Sequence, residues 1–433
     1  MTSTYVPKRR AWPVRAVASL ALLAAAAVSP ACASGDPAGA SGPGDGEGGG
    51  GTSDASASGS GSGSGSSSGS GSGAASSSGS SDASSGGSGS GGTDASSRVD
   101  ATGDADPGLP PMKTQTFLIG YSEAWFGANF GTGYTTNFDL AYVQKVFDGI
   151  VADGGHLVRL FLWEIPQGFS LAASPPYTQQ VSSQFLANVD TVLTEARKRA
   201  LWAYITLLDA NTIDKITGAI HTWGVNLLND TSGEQAAFNT NALGPLLGVL
   251  DQHQDNVFGI DIVNEIQACS QNGVFPDATN GPRAFLQAEA AFIKSKSPWV
   301  KVTSSAGWPS DILMKGAQYD IANGLYSGLG LDFYDLHAYD DSGSYPGATA
   351  MCNRAASDGV PVYLGEFGQS TKQTDDTIQY DATASFLNNS KALCFKGAFA
   401  WRFDPQESYL AYVHADFSPR PAVAIMQTFG ALP

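Results

Sequence analysis

Basic side chains are scarce in this 433-residue chain, where 23 lysines and arginines stand against 40 aspartates and glutamates, a formal net charge of −17. A surface of that sign repels a phosphate backbone, so nucleic acid is excluded as a partner, while a neutral, sugar-like partner agrees with it. Cysteine is scarce too: there are four, at positions 32, 269, 352 and 394. No CxxC or HExxH spacing occurs, so no metal site is expected. Apart from Cys32, three cysteines remain, Cys269, Cys352 and Cys394. One disulfide and one free thiol fit that number, and spacing leaves the pairing open. The apolar run AVASLALLAAAAV, residues 16 to 28, falls short of the roughly 20 residues that cross a bilayer. Aromatic residues are missing altogether from 33 to 111, and no aliphatic run there could be buried.

These absences divide the chain. Lys8, Arg9, Arg10 and Arg15 precede the short apolar run, and the small residues ACAS follow it, the pattern of a secretory signal over residues 1–32. Cys32 sits where a bacterial lipoprotein carries its lipidated cysteine, although SPAC matches a lipobox only in its last residues. Export is therefore expected, either as a surface lipoprotein or in free form, with a lipid anchor as the one membrane contact. Residues 33–111, built of Gly, Ser, Ala and Asp, cannot offset the entropy of ordering and are expected to form a disordered tether. A Gly-rich chain of that length reaches about 45 Å. Residues 112–433 hold every tryptophan but Trp12 and can build one large core.

Within that part, apolar and β-branched runs predict eight strands, at 117–125, 157–163, 202–210, 257–265, 301–308, 333–340, 361–368 and 397–404. Between them, 138–155, 182–200 and 281–297 carry apolar residues at helical spacing. Strands alternating with helices imply parallel βαβ units, and eight such units imply an α/β fold, the (β/α)8 TIM barrel. An open doubly wound sheet is the alternative, but the phosphate-binding glycine fingerprint is missing from GYSEAWFGANFG after the first strand.

Chemistry in a barrel gathers at the C-terminal strand ends. There the sequence puts Glu123 and Trp125, Arg159 and Trp163, Asn264 and Glu265, Trp308, His337 and Tyr339, Glu366, and Trp401. Glu265 and Glu366 end the fourth and seventh strands, on opposite sides of the mouth. Two carboxyls facing across a substrate can cleave a glycosidic bond, one as proton donor and one as nucleophile or base. Arg159, His337 and Tyr339 could separate their pKa values by charge and hydrogen bonding. Aromatics at the mouth, Trp125, Trp163, Trp308 and Trp401, could stack on sugar faces, whereas Trp202 and Trp299 sit at the far end and are expected to be packing. Asp261 shares the facing of Glu265 and is expected to tie the barrel interior to a basic group such as Arg159.

The segments DIVNE, YDLHAY and VYLGEFG resemble strands four, six and seven of the family 5 glycoside hydrolases, cellulase-like members of a retaining clan built on this barrel. The resemblance follows the order of elements over 112–433, and NE on strand four combined with GEFG on strand seven is its most specific part. It implies catalytic roles for Glu265 as acid/base and Glu366 as nucleophile. It further implies that Asn264 holds the sugar 2-hydroxyl, that Tyr339 contacts the nucleophile, that His337 and Arg159 line the site, and that Trp401 is a sugar platform. The chain departs from the family at Ile266, where proline is usual, and at the end of strand three, where Asp209 and Asn211 stand in place of a histidine. A neighbouring family of the same clan therefore stays open.

The expectation is an exported, monomeric retaining β-glycoside hydrolase of endo-β-glucanase or β-mannanase type, acting on a β-linked polysaccharide without a cofactor. A non-catalytic carbohydrate-binding or adhesion lipoprotein is the alternative, and it would have no need of both acids. The segment 222–244 between strands three and four could open or block a groove.

Overall fold

The computed structural model describes residues 111–431 apart from 113–114, 127–132, 272, 278–279, 308–325, 344–347, 370–374 and 406–409. The signal segment, Cys32, the tether and Trp308 lie outside the described residues. No helix among the described residues is long and apolar enough to cross a membrane.

Nine parallel strands form one sheet: β1 (Leu118–Glu123), β2 (Leu157–Trp163), β3 (Trp202–Asp209), β4 (Val257–Asn264), β5 (Val302–Thr303), β6 (Ser305–Ala306), β7 (Tyr334–Tyr339), β8 (Val362–Gly368) and β9 (Phe395–Ala400). Their order is β5-β4-β3-β2-β1-β9-β8-β7-β6. The two edge strands are consecutive in the chain, separated only by Ser304, so the sheet nearly closes on itself as a barrel. The expected fifth strand is thus split. Its first half pairs with β4 and its second half with β7.

Period-two alternation sorts the strand residues into an inner and an outer set. Leu118, Leu157, Tyr204, Phe258, Phe333, Tyr363 and Phe399, most of them at or near strand starts, pack together inside and fill the barrel floor. The outer set packs against helices. The helix Ser183–Lys198 shows how: the Ser182 hydroxyl caps it by accepting from the Phe185 amide at 3.2 Å, and Phe185, Val189, Val192 and Leu193 are buried on one face. Burying each such side chain contributes about 1.5–3 kcal/mol. A disulfide joins Cys352 to Cys394 across 42 residues, and Cys269 is a buried free thiol. That resolves the pairing.

The segment between β3 and β4 is a packed layer. It contains the helices Ala219–Leu228, Glu234–Phe238 and Gly244–Leu250 and one π-helical turn, Asn239–Leu243, with Trp223, Leu227 and Phe238 buried. Against it lies Glu289 of the helix Asn280–Lys296, whose carboxylate accepts from Asn239 at 3.1 Å. Burial outweighs the amide hydrogen bonds and pushes Glu289 up to about 7 from an ordinary 4.5. The folded state therefore holds the proton more tightly than the unfolded chain does. The stability this gives is complete below about pH 4.5 and is lost as pH rises through about 7, on the order of 3 kcal/mol in all. Glu289→Gln should raise the melting temperature at pH 8 and not at pH 4; an equal shift at both would rule out the linkage.

Candidate active site

The β4 strand runs straight to Asn264, and the chain then turns sharply, because Glu265 adopts a left-handed backbone with φ 51°. Such a conformation in a non-glycine residue marks local strain, which clusters at functional positions. Its amide donates to the Ser305 hydroxyl at 3.2 Å, which fixes the turn. On the opposite side, β7 and β8 pair Leu336 with Leu364 and then His337 with Glu366, so Gly365 is an extra residue in the ladder. This bulge sets Glu366 directly beside His337. Gly365 has no room for a side chain, since an added Cβ would lie 1.9 Å from the Asp335 carboxylate.

These two devices bring the carboxyls together. Glu265, His337 and Glu366 each present one ligating atom, and the three atoms lie within 4.8 Å of one another. His337 Nδ1 lies 2.9 Å from Glu265 Oε1 and 3.4 Å from Glu366 Oε2. Among the described residues this trio has the spacing to hold a cation, but the imidazole already stands between the carboxylates as their shared donor. Asn211 Nδ2 donates to Glu265 Oε2 at 2.6 Å. Tyr339 donates its hydroxyl to Glu366 Oε2, and Arg159 Nη1 donates to Glu366 Oε1. Arg159 Nη2 also donates to Asp261 at 2.7 Å and to the side-chain Oδ1 of Asn264 at 2.8 Å. Asn264 donates in turn to Asp209 at 2.9 Å. The Arg159 and Glu366 side chains are 0% exposed, and that of Glu265 is 12% exposed.

The electrostatics follow from these contacts. For Glu366, burial is the largest influence and raises its pKa; the charges of His337 and Arg159 and the Tyr339 hydrogen bond oppose this without reversing it. For Glu265, burial also pushes upward, but the His337 hydrogen bond and charge, helped by Asn211 and Arg159, bring the net shift below the ordinary value. His337 is itself raised, because the carboxylates of Glu366 and Glu265 outweigh its own burial and the nearby Arg159. The two carboxylates thus favour the charged imidazole between them.

Trp401 covers one side of this cluster, ring to ring with Phe161 at 5.6 Å and with Trp125 at 6.1 Å. Trp125 donates its indole N–H to Glu164 and stacks on the Arg402 guanidinium at 4.2 Å. Trp163 does not belong here. Alternation along β2 would point it inward, but its ring swings out to stack on Phe185 at 5.7 Å and its indole N–H donates to the Gln167 carbonyl. It is fully buried among the outer core residues and cannot touch a ligand. His221 bonds the Ile213 carbonyl, away from the acids. Asp209 and Asn211, which stand at the end of strand three in place of the family's histidine, prove to hold Asn264 and Glu265. Sequence reasoning missed Ser305, which gave no signal.

No protein-family model matches the sequence, and no curated protein matches it either. Solved structures do. The chain is similar to a β-mannanase from the blue mussel Mytilus edulis, at 18% identity and a TM-score of 0.53, covering 73% of this chain and 92% of that one. A Rhizomucor miehei endo-1,4-β-mannanase gives 16% identity and 0.55 over 74% and 96%. A Streptomyces cattleya GH5_18 protein in complex with Manb1-4GlcNAc or GlcNAc gives 15–16% identity and 0.56 over 72–73% and 80%. At such identities the likeness establishes the fold, an α/β barrel of the class these enzymes share.

Proposed function

We propose that the chain is a retaining β-glycoside hydrolase, with Glu366 as nucleophile and Glu265 as acid/base. One observation carries this reading: two acids from opposite sides of the barrel mouth bring carboxylate oxygens within 4.8 Å. Retaining enzymes hold their carboxyls about 5–5.5 Å apart, whereas inverting enzymes need about 6.5–9.5 Å to admit water. The fixed donors support the division of roles. Glu366 is gripped by Arg159 and Tyr339, which aim it and favour its anion against the effect of burial; Glu265 touches solvent and can exchange protons.

In the first step Glu366 attacks the anomeric carbon while Glu265 protonates the departing oxygen. In the second, Glu265 removes a proton from water, which displaces Glu366 from the sugar. Glu265 needs a proton at the outset, yet His337, Asn211 and Arg159 favour its anion. A sugar ring that excludes water from its exposed edge raises its proton affinity, and His337 Nδ1 lies 2.9 Å from its Oε1. Asn264, held on both sides by Arg159 and Asp209, suits the sugar 2-hydroxyl, and Trp401 and Trp125 suit a sugar face. The names of the similar structures favour a β-mannan; a β-glucan is the alternative that the family resemblance leaves. Export over residues 1–32, with Cys32 as lipid carrier or cleavage neighbour, and a monomeric state complete the proposal.

The test is hydrolysis of β-mannans and β-glucans, with the anomer of the first-formed product read by proton NMR. The β-anomer should appear first. An α-anomer would overturn retention, and no cleavage of any neutral β-linked glycan would overturn the function. The His337 charge lowers the pKa of both Glu265 and Glu366. His337→Asn should therefore move both limbs of the kcat/KM profile to higher pH; a profile that stays put or moves down would remove His337 from this role.

A further inference from the structure

At the opposite end of the barrel from the glutamates lies a cavity of about 360 Å³, lined by Gln115, Leu118, Trp202, Gln254, Val257, Phe258, Trp299, Lys301 and Tyr363. That volume is within the roughly 300–1,000 Å³ of small-ligand sites. Its floor is rigid. Phe258 and Tyr363 are locked edge to face at 5.1 Å within the aromatic plug that fills the barrel start. One wall is also fixed in place, because Asp251 accepts from the Trp299 indole N–H at 2.6 Å and from the Ser297 hydroxyl at 2.8 Å. Trp202 and Trp299 are both only partly buried, so their rings meet the cavity.

The lining also carries polar groups. Gln115 lies in the lining. Gln254 and Lys301 are exposed at the rim and offer further donors. None of the lining residues is acidic, in a chain with 40 aspartates and glutamates. Flat indole faces, amide and ammonium donors and no carboxylate among the lining residues match the two surfaces of a neutral hexose: its C–H face and its ring of hydroxyls.

We propose that this cavity is a second, non-catalytic binding site for a neutral hexose unit of a β-linked glycan. This rests on the proposed function for the kind of glycan but not for the site itself. It would hold the barrel on its polysaccharide while the mouth at the other end works, and it gives Trp202 and Trp299 more than the packing role the sequence suggests.

The experiment uses the full chain carrying Glu366→Ala, titrated by calorimetry with mannohexaose and with cellohexaose, alongside hydrolysis assays of the chain without that change. Two sites per chain are expected. Trp299→Ala and the rim changes Lys301→Ala and Gln254→Ala should each weaken the second site about tenfold or more, as the loss of one well-placed contact does. The rim variants guard against a Trp299→Ala chain that fails to fold. Each should leave hydrolysis of a short soluble substrate unchanged. A single site, or no site, that ignores all three substitutions overturns the inference. Hydrolysis without a second site would leave the proposed function standing alone, and a cavity site without hydrolysis would do the reverse.

Discussion

Glu366→Ala is expected to lower kcat by about 10⁵-fold or more, the scale on which enzymes fall when a covalent nucleophile is removed. That loss corresponds to about 7 kcal/mol of transition-state stabilisation. The structure explains why no neighbour would take over. Glu265 is held by His337 and Asn211 on the leaving-group side, and Asp261 lies deeper, already bound to Arg159 and Ser305. The change also frees Arg159 Nη1 and the Tyr339 hydroxyl, but Arg159 keeps Asp261 as counter-ion, so the barrel should stay folded. A thermal melt checks this. Added azide should then restore turnover of an activated aryl glycoside by entering the vacated space, giving a product of inverted, α configuration. Wild-type rates in Glu366→Ala, or rescue with retained configuration, would remove Glu366 from the nucleophile's place.

Much of this site was legible in the sequence, for a physical reason. Parallel strands buried on both faces read as apolar runs, so polar residues at their ends stand out, and Asn264, Glu265, His337, Tyr339 and Glu366 were found that way. Arg159 was readable too, although its two expected fates, a barrel salt bridge with Asp261 and a part in the site, prove to be one: it spans Asp261 and Glu366 together. Hidden were the features that depend on where the chain leaves ideal geometry. Alternation cannot show that β8 bulges at Gly365, that Glu265 turns into a left-handed conformation, or that Trp163 swings outward at the end of β2. The split of the fifth strand at Ser304 was equally invisible, because the residues on either side have the same strand-like character. Asn211 and Ser305 reach Glu265 only through tertiary proximity, which one sequence does not encode in any local pattern. The basal cavity escaped for a different reason. Trp202 and Trp299 come from strand starts, where aromatic residues are ordinarily floor packing, and only the joint placement of Gln115, Gln254 and Lys301 makes a pocket of them.

Glu265→Ala is expected to fall by about 10²- to 10⁴-fold on a polysaccharide, the range for losing a general acid. The deficit should depend on the leaving group. A dinitrophenolate departs without a proton, so glycosylation by Glu366 should run near its normal rate, and the second step, deprived of its base, should become limiting. The signature is a burst of one dinitrophenolate per chain followed by slow turnover, with azide accelerating that turnover and yielding a β-configured product. Because Glu265 and Glu366 sit within 4.8 Å, the two alanine variants should be rescued by the same anion from opposite faces of the sugar. The pH profile adds an independent readout: the basic limb of kcat/KM should vanish in Glu265→Ala, while the acidic limb, set by ionisation of Glu366, remains. If the proton donor were instead His337, which lies against both carboxylates and whose own pKa is raised, the basic limb would survive Glu265→Ala and disappear in His337→Asn. The pair of profiles therefore separates a carboxylic acid that donates directly from an imidazole that donates in its place.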